Sequence, residues 1–225
     1  MKIFGIPVKF DFTFFLIAAL LARGRLSEPV FLVEWIAVVM VSILVHEFGH
    51  ALTGRAFGLA PQIQLYGMGG LTSWVEAKEI SPRKDIVISL AGPFAGFLFG
   101  GVVLLAGLLL PGIRDSRFNQ TVFTDLLLVN FGWGIINLLP VFPLDGGHVV
   151  RGLEQWLVKR TGGVITFVIS FLISAGLAVL ALWAGEIWIA ILTGWFAWIN
   201  GSALYWLFKG RHQQPVESYR EQPNE

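Results

Sequence analysis

The sequence predicts a mainly α-helical fold: a polytopic membrane bundle of about six transmembrane helices with short interfacial β-strands and a hairpin. Composition is the first observation behind this. Of 225 residues, 55% are hydrophobic and only 14% charged, where a soluble domain carries about a quarter charged residues; mean hydropathy is +0.71. The second is the recurrence of apolar stretches long enough to cross a bilayer. The third is a shift to alternating polarity between two of those stretches. The chain has no cysteine, which excludes a disulfide framework, a thiol nucleophile and a cysteine metal site. A net charge of +1 offers no basic surface for nucleic acid.

Taken in order, Met1 to Lys9 reads as a short strand or extended arm at the membrane surface, since Ile3, Phe4, Ile6 and Val8 favour strand around Gly5 and Pro7. Residues 10–22 make a short first span. A secretory signal peptide is the alternative, but no small-residue cleavage site precedes Arg23. The second span covers about 30–56. Gln62-Ile63-Gln64-Leu65 then alternates, Gly67 to Gly70 supplies a turn, and Leu71 to Val75 resumes an extended pattern, which predicts a hairpin.

The third span, about 86–110, carries Gly92, Gly96 and Gly100, a ridge of small residues that lets a neighbouring helix approach. The fourth, about 122–139, is ended by Pro140 and Pro143. Val149, Val150, Leu153, Trp156 and Leu157 then form an apolar stripe opposite Arg151, Glu154 and Lys159, predicting an interfacial amphipathic helix. Spans at about 164–184 and 187–208 close a single integral membrane domain, 1–208, with its core at about 30–160. Residues 209–225 read as a polar, disordered cytoplasmic tail.

Lysine and arginine orient the bundle. Six spans put Lys2, Lys9, Arg55, Lys78, Arg83, Lys84, Arg151, Lys159, Arg160, Lys209, Arg211 and Arg220 on one side. The other side receives Arg23, Arg25, Arg114 and Arg117. The positive-inside rule therefore predicts that both termini are cytoplasmic.

The chemistry centres on His46-Glu47-Phe48-Gly49-His50 at the end of the second span. On a helix, His46 and His50 lie one turn apart on the same face. Two imidazoles so placed can chelate one zinc ion, with Glu47 beside them to take a proton from zinc-bound water. Ionisable groups inside a span are costly and usually functional. A catalytic zinc takes a third protein ligand, and Asp145 in Pro143-Leu144-Asp145-Gly146-Gly147 is the candidate. The helical rise from Val30 to His46 is about 24 Å and from Val122 to Leu139 about 26 Å, so the two segments reach similar depth. Two plainer roles stand beside this one for Asp145: a helix N-cap or an Asp-Gly turn. Asn137 is a candidate for holding substrate or an oxyanion, or for satisfying carbonyls freed at Pro140. His148 is either a donor behind the ligands or a surface histidine.

Together, His46-Glu47-Phe48-Gly49-His50, Asn137-Leu138-Leu139-Pro140 and Pro143-Leu144-Asp145-Gly146-Gly147 resemble the site-2 protease family of intramembrane zinc metalloproteases. Gly5-Ile6-Pro7, the Gly67 to Gly70 turn and Ala91-Gly92-Pro93 share the resemblance, which covers about 1–160. It implies one Zn2+ per chain held by His46, His50 and Asp145, with Glu47 as general acid and base. It implies cleavage of a transmembrane protein substrate in or near the bilayer of a bacterial or archaeal cell membrane, with membrane lipid and a regulatory membrane partner as further contacts. Many members carry a PDZ domain or a CBS pair, for which this sequence has no room. Two other classes use the same residues differently: a membrane metal permease, and a catalytically idle membrane scaffold.

Overall fold

The structure is a computed structural model that describes residues 1–22, 24–76, 79–159 and 163–213. Its helices are α1 (Phe12–Leu21), α2 (Pro29–Ala56), α3 (Pro82–Leu109), α4 (Arg117–Asn137), α5 (Asp145–Leu153), α6 (Val164–Trp183) and α7 (Ile187–Gln213). Four strands, β1 (Lys2–Ile3), β2 (Ile6–Phe10), β3 (Pro61–Tyr66) and β4 (Gly69–Trp74), form one sheet in the order β1-β2-β3-β4. The chain is a mainly α-helical integral membrane protein. Among the described residues, four helices are long and apolar enough to cross a membrane: α2, α3, α6, and α7 as far as Lys209.

The other two expected spans look different. Helix α1 has ten residues, about 15 Å of rise against a hydrocarbon core of about 30 Å. Asp11 caps it at the start by accepting from the Thr13 N–H, and Gly24 turns the chain at its end with φ +75. Helix α4 starts at Arg117, earlier than its apolar stretch, because Ser116 caps it by accepting from the Asn119 N–H. It ends at Asn137, before Pro140. Residues 214–225, most of the expected tail, lie outside the described residues, as do Arg23, Lys78 and Arg160.

Helix α2 shows why this bundle belongs in lipid. Pro29 opens it, and Gly58 at φ +83 turns the chain just beyond its end. Its buried stripe is Glu34, Val38, Ser42, His46, His50 and Gly54, one residue per turn, while Val30, Val33, Val41 and Leu52 are exposed. Polar groups face in and apolar groups face out, the arrangement that a hydrocarbon solvent selects. Helix α3 packs on α2 and α4 through small residues, with Gly92, Gly96 and Gly100 all buried.

The expected hairpin is β3–β4, antiparallel, with Tyr66 opposite Gly69. The N-terminal arm joins it as strand β2, which runs parallel to β3 with Val8 opposite Ile63. Ile6, Val8, Ile63 and Leu65 pack with Phe14, Ile43 and Ala51, so the sheet is pinned to α1 and α2. That fixes β4 alongside the histidine-bearing part of α2.

The expected amphipathic helix is shorter than its stripe. Helix α5 stops at Leu153 and a wider π-type turn runs Glu154–Val158. Glu154 is not on a solvent face: it is buried and accepts from the Ile165 and Thr166 N–H groups and the Thr166 hydroxyl, at 3.2, 3.0 and 2.7 Å. The unpaired N–H groups at the start of α6 draw it in.

Candidate metal centre

Histidines 46 and 50 and Glu47 lie on the inward face of α2, all buried, with their potential ligand atoms within 4.8 Å of one another. Asp145 arrives from a different part of the chain, at the first turn of α5. Its Oδ2 lies 3.1 Å from His46 Nε2 and its Oδ1 3.3 Å from His50 Nε2, while the two Nε2 atoms are 3.1 Å apart. Leu144 occupies the cap position of α5, so capping is not what the Asp145 carboxylate does.

The donor set fits a zinc-type ion. Ligands about 2.0–2.1 Å from a tetrahedral centre are separated by roughly 3.3 Å, close to the observed spacing. Asp145 Oδ2 is buried and has no well-directed hydrogen bond despite its nearness to His46. An acceptor left so among two imidazole nitrogens is what a shared cation would satisfy. His50 Nδ1–H donates to the Ile88 carbonyl at 2.7 Å, which fixes the tautomer and leaves the Nε2 lone pair facing the other donors.

Helix α3 is shaped around these rings. A Cβ on Gly92 would strike His50 Nε2 and His46 Nε2, so this glycine makes room for imidazoles rather than only for a helix. Gly96 faces Asn130 of α4 at ordinary contact distance. Strand β4 closes the other side. Gly70 and Thr72, two apart and therefore on one face, both meet Glu47. A Cβ on Gly70 would run into its carboxylate, and the Thr72 hydroxyl donates to Oε2 at 2.7 Å.

These groups line a cleft of about 200 Å³ with Trp74, Asp85, Ser89, Asn137 and His148, enough for several waters. Asn137 turns its amide back to the Trp133 carbonyl at 3.0 Å, one turn earlier in α4, rather than to the carbonyls near Pro140. His148 stacks obliquely on Phe142, ring centroids 4.9 Å apart. Burial pushes its pKa below the ordinary histidine value, against the pull of Asp85 and Asp145.

The structure thus brings together His46, Glu47, His50, Asp145, Asn137 and His148, all legible as candidates in the sequence. Thr72, Gly70 and the Ile88 carbonyl were not legible. Only the two-residue spacing of Gly70 and Thr72 on a strand would have hinted at a shared target.

A second polar cluster sits toward the other end of α2. Arg25 binds Asp125 of α4 through both guanidinium nitrogens and Glu34 of α2 at 3.1 Å, and stacks over Trp35 at 5.1 Å. It ties the α1–α2 connection to both helices.

Two histidines and a carboxylate converge inside a membrane helix bundle, a donor set that could hold a metal ion. The chain belongs to peptidase family M50, whose profile matches residues 34–125 and 115–182. It is similar to zinc metalloprotease MJ0392 of Methanocaldococcus jannaschii, with 28% identity over 187 residues that cover 82% of this chain and 52% of that protein. Putative zinc metalloprotease Rip3 of Mycobacterium tuberculosis is 32% identical over 174 residues, 71% of this chain and 42% of that one. Putative zinc metalloprotease sll0528 of Synechocystis is 27% identical over 228 residues, 90% and 58% of the two chains. The chain spans about half the length of these curated relatives. The solved site-2 protease of Methanocaldococcus jannaschii shares the fold, with a TM-score of 0.60 at 23% identity and 98% of each chain covered.

Proposed function

We propose that this chain is a zinc-dependent intramembrane endopeptidase, hydrolysing a peptide bond in or near a transmembrane segment of a membrane protein. The observation that carries the reading is the meeting of His46, His50 and the Asp145 carboxylate within 3.1–3.3 Å, with Glu47 beside them. Family membership and relatives named as zinc metalloproteases support it.

His46, His50 and Asp145 hold one zinc ion per chain. Bound there, zinc supplies a Lewis acid that acidifies water and polarises a carbonyl. Glu47 takes the proton of the attacking water and later delivers it to the leaving amine. The Thr72 hydroxyl fixes which carboxylate oxygen is free to do so. Asn137, on the cleft wall, contacts the substrate carbonyl. β4 is the last strand of the sheet, and a locally unwound substrate adds to it as a further strand. Both termini face the cytoplasm of a bacterial or archaeal cell, as the lysine and arginine distribution indicates, and a membrane partner regulates access.

A metal permease would need unpaired ligands at several depths. Glu34 is about 18 Å along α2 from His46, and both it and Asp125 are engaged by Arg25. The test is proteolysis of a transmembrane substrate in detergent or vesicles, with and without a chelator. Cleavage is lost with chelator and returns with zinc. Glu47→Gln keeps zinc and does not cleave. Normal cleavage by zinc-loaded Glu47→Gln refutes the mechanism, and zinc flux without cleavage favours the permease.

A further inference from the structure

We propose that Ser170 and Asn200, on α6 and α7, are positioning residues for Asp145: they hold the backbone N–H and carbonyl of Phe142, one each, and so set where the carboxylate meets His46 and His50. This rests on the reading of those three residues as a metal site.

The segment 138–144 between α4 and α5 is not helical, so its backbone groups need partners other than a helix ladder. Most of its bonds are local: the Val141 N–H donates to the Leu139 carbonyl at 2.7 Å and the Leu144 N–H to the Val141 carbonyl at 2.8 Å. Phe142 differs. Its N–H donates to Ser170 Oγ of α6 at 2.9 Å, and its carbonyl accepts from Asn200 Nδ2 of α7 at 2.7 Å. Two helices hold one residue, and Asp145 lies just beyond it.

Both gripping side chains are 0% exposed. The Asn200 amide is itself oriented by a second bond, Nδ2 to the Phe196 carbonyl at 2.8 Å. The Phe142 ring adds an edge contact to Phe167 of α6, centroids 5.6 Å apart. Without the hydroxyl or the amide, Phe142 keeps a buried N–H or carbonyl with no partner, and the segment shifts to satisfy it. A ligand needs to be held within about 0.5 Å of its working position, so a small shift at Phe142 reaches the metal.

A plainer role for these residues is close packing of α6 on α7, since small polar side chains favour that everywhere. Ser174 separates the two. It sits one turn from Ser170, is equally buried, and donates to its own helix, to the Ser170 carbonyl at 2.5 Å. Its hydrogen bonds go to main-chain carbonyls of its own helix, at Ser170 and Phe171, and not to the 138–144 segment.

The experiment follows zinc loss from the purified, zinc-loaded full chain to a colorimetric chelator, with thermal unfolding measured in parallel. Asp145→Ala retains little zinc. Ser170→Ala and Asn200→Leu bind zinc but release it about tenfold faster than wild type, the effect typical of lost support behind a ligand. Ser174→Ala releases it at the wild-type rate, whatever its unfolding temperature. Wild-type release from both Ser170→Ala and Asn200→Leu overturns the proposal, as does equally fast release from Ser174→Ala. Should Asn200→Leu not fold, Ser170→Ala alone decides, being the loss of one hydroxyl. Wild-type zinc content in Asp145→Ala is a different failure: it overturns the metal-site reading itself, and this inference with it.

Discussion

The Thr72 hydroxyl donates to Glu47 Oε2 at 2.7 Å and lies 3.2 Å from the Glu47 backbone carbonyl, so the last strand of the sheet is fastened directly to the acid beside the histidine pair. A hydrogen bond to a charged group contributes about 1.5–3 kcal/mol. Thr72→Val keeps the side-chain shape and removes the donor. It should lower kcat at least about tenfold with zinc content unchanged, and Thr72→Ser should restore most of the rate. A change confined to KM would assign Thr72 to the substrate strand instead.

Two glycines make separable predictions. Gly92→Ala places a methyl against the imidazoles of His46 and His50, and Gly70→Ala places one against the Glu47 carboxylate. Gly92→Ala should therefore lose zinc. Gly70→Ala should keep zinc and lose cleavage. Gly96→Ala meets its nearest neighbour, the Asn130 carbonyl, at 3.5 Å, and should bind zinc and cleave as wild type does. Zinc measurement by mass spectrometry beside a cleavage assay distinguishes the three.

What the sequence could and could not convey follows from the range of each interaction. The histidine pair is legible because a helix fixes the relation of i and i+4. Asp145 is legible through depth, since two helices of similar rise end at similar levels. Spacing makes Gly92 part of a packing ridge with Gly96 and Gly100, whereas its neighbours in the structure are imidazole rings. Spacing alone cannot tell a methyl-sized gap for a helix from one for a ligand. The pairing of β2 with β3 skips over α1 and α2, and no local pattern encodes it. Periodicity puts Glu154 on a polar face, yet the open N-terminus of α6 turns it inward. Nothing in the sequence marks Ser170 and Asn200, because their partner is a main-chain group that carries no sequence signature.

Arg25 should matter for stability and not for the metal. Removing it takes from the buried carboxylates of Asp125 and Glu34 the cation that pairs with both among the described residues. Breaking a buried pair costs about 3–5 kcal/mol, and the partial exposure of Arg25 puts the expected loss nearer about 2 kcal/mol. Arg25→Met should lower the unfolding temperature in detergent, and pairing it with Asp125→Asn should recover part of the loss. Zinc stoichiometry should remain that of wild type, because Glu34 is about 18 Å along α2 from His46. Loss of zinc in Arg25→Met would mean that the two ends of α2 are coupled.

Metal removal gives the last prediction, through linkage. A ligand that binds only the folded state stabilises it by about RT ln(1 + [L]/Kd), about 4 kcal/mol at a thousandfold excess over Kd. Stripping zinc should therefore lower the unfolding temperature of the wild-type chain. The same treatment should change Asp145→Ala little, since that variant lacks one of the three proposed ligands. Acid should act in the same direction as chelator, because an imidazole binds metal only when its ligating nitrogen is unprotonated. Zinc retention should fall on acidification and return on neutralisation. An unfolding temperature that ignores chelator in the wild type while falling in Asp145→Ala would assign that carboxylate to the fold rather than to a metal.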